Sequence, residues 1–351
     1  MRRRHPILTG TMRQVVMTKH GAPEVLQSRE VADPVPHAGE VRIAVRAAGV
    51  NFADIMARLG LYPDAPAPPL VVGYEVAGVI DAVGPGVTTL RVGDRVLALT
   101  RFGGYASAAV TSAELVFPTP PDFSDIEAAA VPVNYLTALI ALYRLANVDA
   151  GETVLLYGAG GGVGIAATQL AKRRGAIVIG TASTPKIAAI RSLGVDHPID
   201  HQRDDVRAEV RRLTSDRGVD VILDPIGGRS FAESYRLLAP LGRLVLYGAS
   251  SLASGERRRL WHAAWTLFRM PVFRPLSLMN QNRAVLGLNL GHLWGQTRQL
   301  HGAMELLLQE MIAGRLRPVI AKTFPLARAA DAHRYMQSRS NVGKVVLVVE
   351  E

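Results

Sequence analysis

Thr153-Val-Leu-Leu-Tyr157, then Gly158-Ala-Gly-Gly-Gly-Val-Gly164, then Ile165-Ala-Ala-Thr-Gln-Leu-Ala-Lys172: these twenty residues decide the fold. A short apolar run, a glycine turn and a run of helical period follow one another in the order strand, phosphate-binding turn, helix. In register, Ala159, Gly161 and Gly164 fill the three places of the dinucleotide fingerprint, with alanine tolerated at the first. Gly161 lets the backbone approach a pyrophosphate, and Gly164 lets helix and strand pack closely. The helix opening at Gly162 and Val163 then offers free N–H groups and a partial positive charge to an anion.

Outward from this stretch the chain has two textures. Residues 12 to about 134 carry short strand-like runs punctuated by Gly and Pro, such as Glu40-Val-Arg-Ile-Ala-Val-Arg46 and Asp94-Arg-Val-Leu-Ala-Leu99. From about 135 strands alternate with longer helices, the pattern of a parallel doubly wound sheet. Its strands are predicted at Val154–Tyr157, Ile177–Gly180, Val219–Leu223 and Leu244–Tyr247, with helices between them at Val163–Arg174, Pro185–Leu193, Asp204–Thr214 and Ser230–Leu238. One more helix, His301–Ile312, and a strand, Val345–Val349, close the chain. The class is α/β in two domains, with a cleft between them.

The end of the second strand of the sheet selects the dinucleotide, because an Asp or Glu there would grip the 2'-hydroxyl of NAD. Ile179-Gly-Thr-Ala-Ser183-Thr-Pro-Lys186 has no carboxylate. Ser183 can donate a hydrogen bond to a 2'-phosphate and Lys186 can supply positive charge, so NADPH is the expected cofactor.

Composition bounds the chemistry. The 351 residues are 48% hydrophobic and 20% charged, globular values, and no apolar run is long enough to cross a bilayer. There is no cysteine, which removes disulfides, thiolate-held zinc and a cysteine nucleophile together. Met1-Arg-Arg-Arg-His-Pro6 is basic without a secretory apolar region behind it, so residues 1–11 are expected to be a tail and the address cytoplasmic. Net charge is +10, but the arginines of 203–217 and 257–259 have no interleaved aromatics; they are expected on solvated faces, with no nucleic-acid partner.

At this point the residues resemble a family. Val45-Arg-Ala-Ala-Gly-Val-Asn-Phe-Ala-Asp54, Gly73-Tyr-Glu-Val-Ala-Gly78, Val92-Gly-Asp-Arg-Val96, the glycine turn, Asp224-Pro-Ile-Gly-Gly228, Asn282 to Gly291 and Asn341-Val-Gly-Lys-Val-Val346 are similar to the zinc-independent medium-chain dehydrogenase/reductases. Within them they resemble the quinone oxidoreductases and the branch of the VAT-1 homologues. The resemblance implies a GroES-like β-barrel catalytic domain, 12–134 completed by 295–351, around a Rossmann domain at 135–294. Where zinc-using relatives carry a Cys and a His ligand, this chain has Asn51 and Tyr74, and no zinc is expected.

The resemblance also implies roles. Asn51 and Asp54 are placed in a quinone pocket, Asn51 as the donor to the acceptor oxygen and Asp54 as a positioning carboxylate. Asn51 also counts among the cofactor contacts. Tyr62 stands where enoyl thioester reductases carry a proton-donating tyrosine, and covering the cleft is its other reading. Thr137, Gly248 and Asn289 are implied on the nicotinamide side, and His201 beside the 2'-phosphate in place of the family's tyrosine. Hydride transfer from NADPH to a quinone or α,β-unsaturated carbonyl is the expected activity. An enoyl thioester reductase and a low-turnover NADPH-binding scaffold stay open. A homodimer is expected through the strand Ala284-Val-Leu-Gly-Leu-Asn-Leu290. The segment Leu260-Trp-His-Ala-Ala-Trp-Thr-Leu-Phe-Arg-Met-Pro271 is expected to pack into the core or lid the cleft, with peripheral membrane contact as the alternative.

Overall fold

The computed structural model describes residues 10–253 and 255–350. Its first part is β-rich: β1 (Thr11–Met17), β2 (Leu26–Ala32), β3 (Glu40–Val50), β4 (Leu70–Val71), β5 (Glu75–Val83), β6 (Arg95–Leu99), β7 (Ala108–Ser112) and β8 (Val116–Pro118). One short helix, α1 (Phe52–Arg58), leaves β3 directly. Most of the tail expected at 1–11 lies outside the described residues. Thr11, however, already pairs with Ala32 as the first residue of β1, so that boundary moves toward the N-terminus.

The middle of the chain holds β9 (Thr153–Leu156), β10 (Ile177–Ala182), β11 (His197–Asp200), β12 (Val219–Asp224), β13 (Leu238–Leu246) and β14 (Ala284–Gly287). They form one parallel sheet in the order β11-β10-β9-β12-β13-β14, the order of a Rossmann fold. Every residue of β12 is buried, as expected of a strand covered on both faces. β13 starts six residues before the expected Leu244, because Leu238 already pairs with Val219 ahead of a register shift. β14 is an edge strand.

Helices α2 (Asp125–Ala128) and α3 (Pro132–Leu139) lead into the sheet, and α4 (Gly162–Arg173), α5 (Ile187–Ser192), α6 (Val206–Leu213) and α7 (Arg229–Leu237) alternate with its strands. Then come α8 (Leu260–Phe268), α9 (Pro275–Gln281), α10 (Thr297–Ile312), β15 (Ile320–Pro325), α11 (Ala329–Gln337) and β16 (Lys344–Val348). β16 pairs antiparallel with β3, so the chain's last strand completes the sheet of its first part. The two parts share a core in which Leu97 and Phe117 meet Leu136 of α3, Val154 and Leu156 of β9, and Leu300, Met304 and Leu307 of α10. That seam fixes β3 and α1 relative to the glycine turn.

Candidate active site at the domain cleft

The glycine turn leaves β9 at Gly158, whose φ of +66° only glycine adopts cheaply, and enters α4 with Gly161 as N-cap. A Cβ on Gly164 would lie 2.4 Å from the Gly158 carbonyl oxygen and 2.7 Å from the Ala159 Cα, so this glycine is what brings helix and strand together. A Cβ on Gly161 would meet only the Gly158 oxygen, at 3.4 Å. One side of Gly161 is therefore open for close approach, the cradle a diphosphate needs. Asn134 of α3 packs over Gly162, and Gly343 donates its N–H to the Gly160 carbonyl at 2.9 Å, so the segment before β16 is stitched to the turn.

Ser183, half-buried, stands at the head of the short turn after β10, and His201 N–H donates to the Ala182 carbonyl at 3.1 Å, which sets His201 beside it. Lys186 Nζ donates to the Asn341 carbonyl at 2.6 Å. Burial, with Arg339 close by, lowers its pKa. The sheet also brings in a carboxylate that the β10 segment does not show: Asp200 ends the neighbouring strand, opposite Ala182. It is engaged locally, accepting from the Thr184 hydroxyl at 2.5 Å and from Gln202 N–H at 3.0 Å, and the Thr184 hydroxyl holds its carboxyl below the usual range. The cradle at Gly161 and the donors Ser183 and Lys186 fit a phosphorylated dinucleotide.

On the other wall, Asn51 is held at both ends of its amide. Its Nδ2 donates to Glu75 Oε1 at 2.8 Å and its Oδ1 accepts from Lys344 Nζ at 2.6 Å. Lys344 Nζ also donates to Glu75 Oε1 at 2.5 Å, and Glu75 Oε2 accepts the Val133 N–H at the start of α3. Glu75 has no exposed side-chain surface and Lys344 has 3%. An ammonium and a carboxylate thus lie buried against Asn51. Neither charged residue has a role that the sequence makes evident; its signal is a charge at the head of an apolar strand, Glu75 ahead of Val76-Ala and Lys344 ahead of Val345-Val-Leu.

Asp54 departs further from its expected place. It has no exposed surface, so it does not face a substrate; it holds the first turn of α1. Its Oδ2 accepts from Asn51 N–H at 2.8 Å and Tyr105 hydroxyl at 3.0 Å, and its Oδ1 from Gly73 N–H at 3.0 Å. The Tyr105 hydroxyl lies 3.0 Å from His333 Nε2, and Arg58 Nε donates to His333 Nδ1 at 3.2 Å. Because Nδ1 accepts, the neutral ring carries its proton on Nε2 and donates it to Tyr105, whose own proton goes to Asp54. Burial pushes Asp54 up to about 7, against the pull of the Asn51 N–H and the Tyr105 hydroxyl. Burial, with Arg58 alongside, pushes His333 down to about 3.

These shifts have opposite consequences for stability. The native state binds the extra proton at Asp54 between 3.8 and about 7, so that group loses stability as pH rises. At His333 the unfolded state binds the extra proton between about 3 and 6.5, so that group loses stability as pH falls. In the shared window the slopes oppose, each at most about 1.4 kcal/mol per pH unit. Asp54→Asn removes one of them. Between pH 6.5 and 5 the variant is expected to lose roughly 1–2 kcal/mol more unfolding free energy than the parent, read by urea unfolding. Identical pH responses of the two proteins would mean that Asp54 titrates near its unfolded value.

Tyr62 and Asn289 come from opposite sides of the cleft and meet: the Tyr62 hydroxyl is 3.4 Å from Asn289 Oδ1, a long contact. Asn289 is fixed by Asp64, which accepts from its Nδ2 at 3.1 Å, and by Gly291 N–H, which donates to its Oδ1 at 3.0 Å. Tyr62 stands edge-on to Tyr74 at 6.1 Å, and Tyr74 packs against Phe102 at 5.2 Å. Burial raises the Tyr62 pKa, so its hydroxyl keeps its proton at neutral pH. Thr137 is buried in α3, and Gly248 is exposed just beyond β13. The 260–271 segment does not fill the core: Trp261 is 91% and Phe268 80% exposed. A cavity of about 730 Å³ lies behind α8, between it and α6 and α7, with Tyr157, Ile226 and Trp265 in its lining.

Two family descriptions match the chain: the alcohol dehydrogenase GroES-like domain over residues 37–121 and the zinc-binding dehydrogenase over residues 193–347. The human synaptic vesicle membrane protein VAT-1 homolog is 40% identical over 340 residues, covering 96% of this chain and 86% of that protein. The chain belongs to the zinc-independent medium-chain dehydrogenase/reductases. Solved structures agree with that membership. A mycobacterial protein crystallised with NADPH superimposes with a TM-score of 0.85 at 32% identity, covering 96% of this chain and 99% of that one. CurK enoyl reductase superimposes with a TM-score of 0.83 at 32% identity, over 97% and 99% of the two chains. Like these medium-chain oxidoreductases, the chain joins a GroES-like part to a Rossmann sheet. Among the described residues no helix is long and apolar enough to cross a membrane.

Proposed function

We propose that this chain is an NADPH-dependent, metal-independent reductase of quinones and related α,β-unsaturated carbonyls. The observation that carries the proposal is the commitment of Asn51. With its oxygen held by Lys344 and one amide hydrogen given to Glu75, the amide is fixed in orientation and has a single N–H left over. An acceptor that needs no more than one neutral donor, as an already electrophilic quinone does, suits such a wall. The edge-on rings of Tyr62 and Tyr74 offer a planar conjugated molecule an aromatic surface.

In this reading Gly161 and the head of α4 hold the diphosphate, while Ser183 and Lys186 take the 2'-phosphate and His201 lies alongside. Bound NADPH supplies a hydride from its reduced nicotinamide, and water supplies the proton. Thr137, Gly248 and Asn289 border the nicotinamide end. The Lys344 ammonium and Glu75 hold Asn51 and the start of α3 in fixed relation to the glycine turn, and Asp54 pins α1 to the Gly73–Tyr74 loop.

The experiment follows NADPH absorbance with 9,10-phenanthrenequinone, 1,4-benzoquinone, an alkenal and a crotonyl thioester. Turnover is expected with the quinones and to survive Tyr62→Phe within about threefold, since no proton need come from that residue. Lys186→Ala is expected to weaken NADPH binding about tenfold and leave NADH nearly unchanged, the loss of one charge-assisted contact. A protein that prefers NADH would end the coenzyme assignment. The half-buried, protonated Tyr62 hydroxyl favours one second reading, an enoyl thioester reductase. Activity on the crotonyl thioester alone, lost in Tyr62→Phe, would select it. NADPH binding with no turnover on any acceptor would make the chain a coenzyme-holding scaffold.

A further inference from the structure

Two residues beyond Tyr62, in the loop that joins α1 to β4, Asp64 reaches across the cleft. Its Oδ2 accepts from Asn289 Nδ2 at 3.1 Å and lies 2.8 Å from His292 Nε2, both in the segment that follows β14. One carboxylate oxygen thus joins the GroES-like part to the edge of the Rossmann sheet. The His292 N–H, and after it the Asn289 amide, hold the Asp64 carboxyl below its usual range, with Arg101 adding positive charge from the loop after β6. An ionised carboxylate offers only acceptors, so His292 carries a proton on Nε2 and donates it.

What the contact fixes is the spacing of two walls. Tyr62 packs on the apolar cluster of Ile55, Met56 and Leu59, so its ring moves with α1. Asn289 moves with β14, and its amide is oriented from both ends, by Gly291 N–H on Oδ1 and by Asp64 on Nδ2. In that orientation Oδ1 faces the Tyr62 hydroxyl, at a distance of 3.4 Å that is too long to hold the walls by itself. The bonds at Asp64 have a charged acceptor and are the stronger kind. Yet the pair is open to water, with 30% of the Asp64 side chain and 64% of the His292 side chain exposed, and exposed pairs add little to stability. Its effect is on where the walls stand and not on whether the chain folds.

We propose that Asp64 is a positioning residue that latches the 59–69 loop to the segment after β14, and so sets the distance between the acceptor wall at Tyr62 and the nicotinamide border at Asn289. The proposal rests on the reading that coenzyme and acceptor meet between these two residues. Asp64 touches neither of them; it acts through Asn289 and through the loop that carries Tyr62. Hydride transfer depends steeply on such spacing, since a misplacement of about 1 Å can cost roughly a hundredfold in rate. Because the latch closes over the nicotinamide end, it also slows the departure of coenzyme.

Two rates measured by stopped flow test this in the full-length protein: dissociation of NADPH, chased with excess NADP+, and single-turnover oxidation of bound NADPH by 9,10-phenanthrenequinone. In Asp64→Ala hydride transfer is expected to slow about tenfold and NADPH to leave about tenfold faster. Asp64→Asn keeps an oxygen that can accept from the Asn289 amide, and it should recover most of both losses. His292→Ala should fall between the parent and Asp64→Ala, and the double variant should be no worse than Asp64→Ala alone, because the two residues act through one contact. All four variants should melt with the parent. Parent rates in Asp64→Ala, losses that multiply in the double variant, or losses that follow a lowered Tm would each overturn the proposal. A parent protein that oxidises NADPH with no quinone would defeat the reading of the reaction alone, since the dissociation rates would still decide the latch. Normal quinone reduction and normal NADPH release in every variant would defeat the latch and leave that reading standing.

Discussion

Lys344→Met is expected to lower the free energy of unfolding by about 3–5 kcal/mol, the range for stranding one member of a buried ion pair. Lys344 and Glu75 have almost no exposed surface, and Asn51 bridges them, so the variant leaves a carboxylate in a dry site with one amide and one backbone N–H for company. Methionine matches the lysine stem in length, which keeps the loss one of charge and not of packing. The decisive comparison is Glu75→Gln combined with Lys344→Met. With both charges gone, the new amide oxygen can still accept from Val133 N–H, and most of the stability should return. Guanidinium unfolding of the two singles and the double closes the cycle. A double variant as unstable as Lys344→Met would show that shape at this point, and not compensated charge, holds the site. Because Gly343 is bonded to Gly160 one residue before Lys344, the single variant should also weaken NADPH affinity.

The fold was legible because its signals are local. Strand, glycine turn and helix occupy twenty consecutive residues, and the alternation downstream has a period that survives without any knowledge of contacts. Boundaries suffered where a neighbour decides them: β13 begins at Leu238 because β12 offers Val219 as a partner, and nothing within Leu238-Ala-Pro-Leu-Gly242 announces a strand. In the site the same division holds. Gly164 packs helix against strand as its spacing implies, since it acts on backbone a few residues away. The contacts of Asn51, Asp54 and Glu75 could not be read this way, because their partners are Lys344, Tyr105 and Val133, distant in sequence and joined only when β16 closes against β3 and α3 packs beside it.

The 260–271 segment shows why a helical pattern does not say which face turns inward. Its hydrophobic residues were numerous enough for either side to be the core. What chose was the height of the Gly227–Gly228 turn, a contact between segments about forty residues apart. Size and apolarity argue for burying Trp261 and Trp265; the structure instead buries Ala263 and Thr266, the latter against the Gly227–Gly228 turn.

Gly164→Ala is expected to cost about 3 kcal/mol of stability and, with it, most of the affinity for NADPH. The added Cβ would fall 2.4 Å from the Gly158 carbonyl oxygen and under 3 Å from two backbone carbons of Ala159, none of which can rotate away. Relief requires α4 to lift off β9 or the turn to open, and overpacking of this kind typically costs about 1–3 kcal/mol. Gly161→Ala is the control that separates folding from binding. Its φ of −80° suits alanine, and its Cβ would meet one atom at an ordinary contact distance, so unfolding should shift by less than about 1 kcal/mol. Affinity for NADPH should nonetheless fall about tenfold or more, because the new methyl group occupies the side from which a diphosphate must approach. Titration calorimetry with NADPH, beside thermal unfolding of both variants, reads the two quantities independently. If Gly161→Ala bound NADPH as tightly as the parent, the diphosphate would not lie on this turn, and the coenzyme site would have to be sought elsewhere in the cleft.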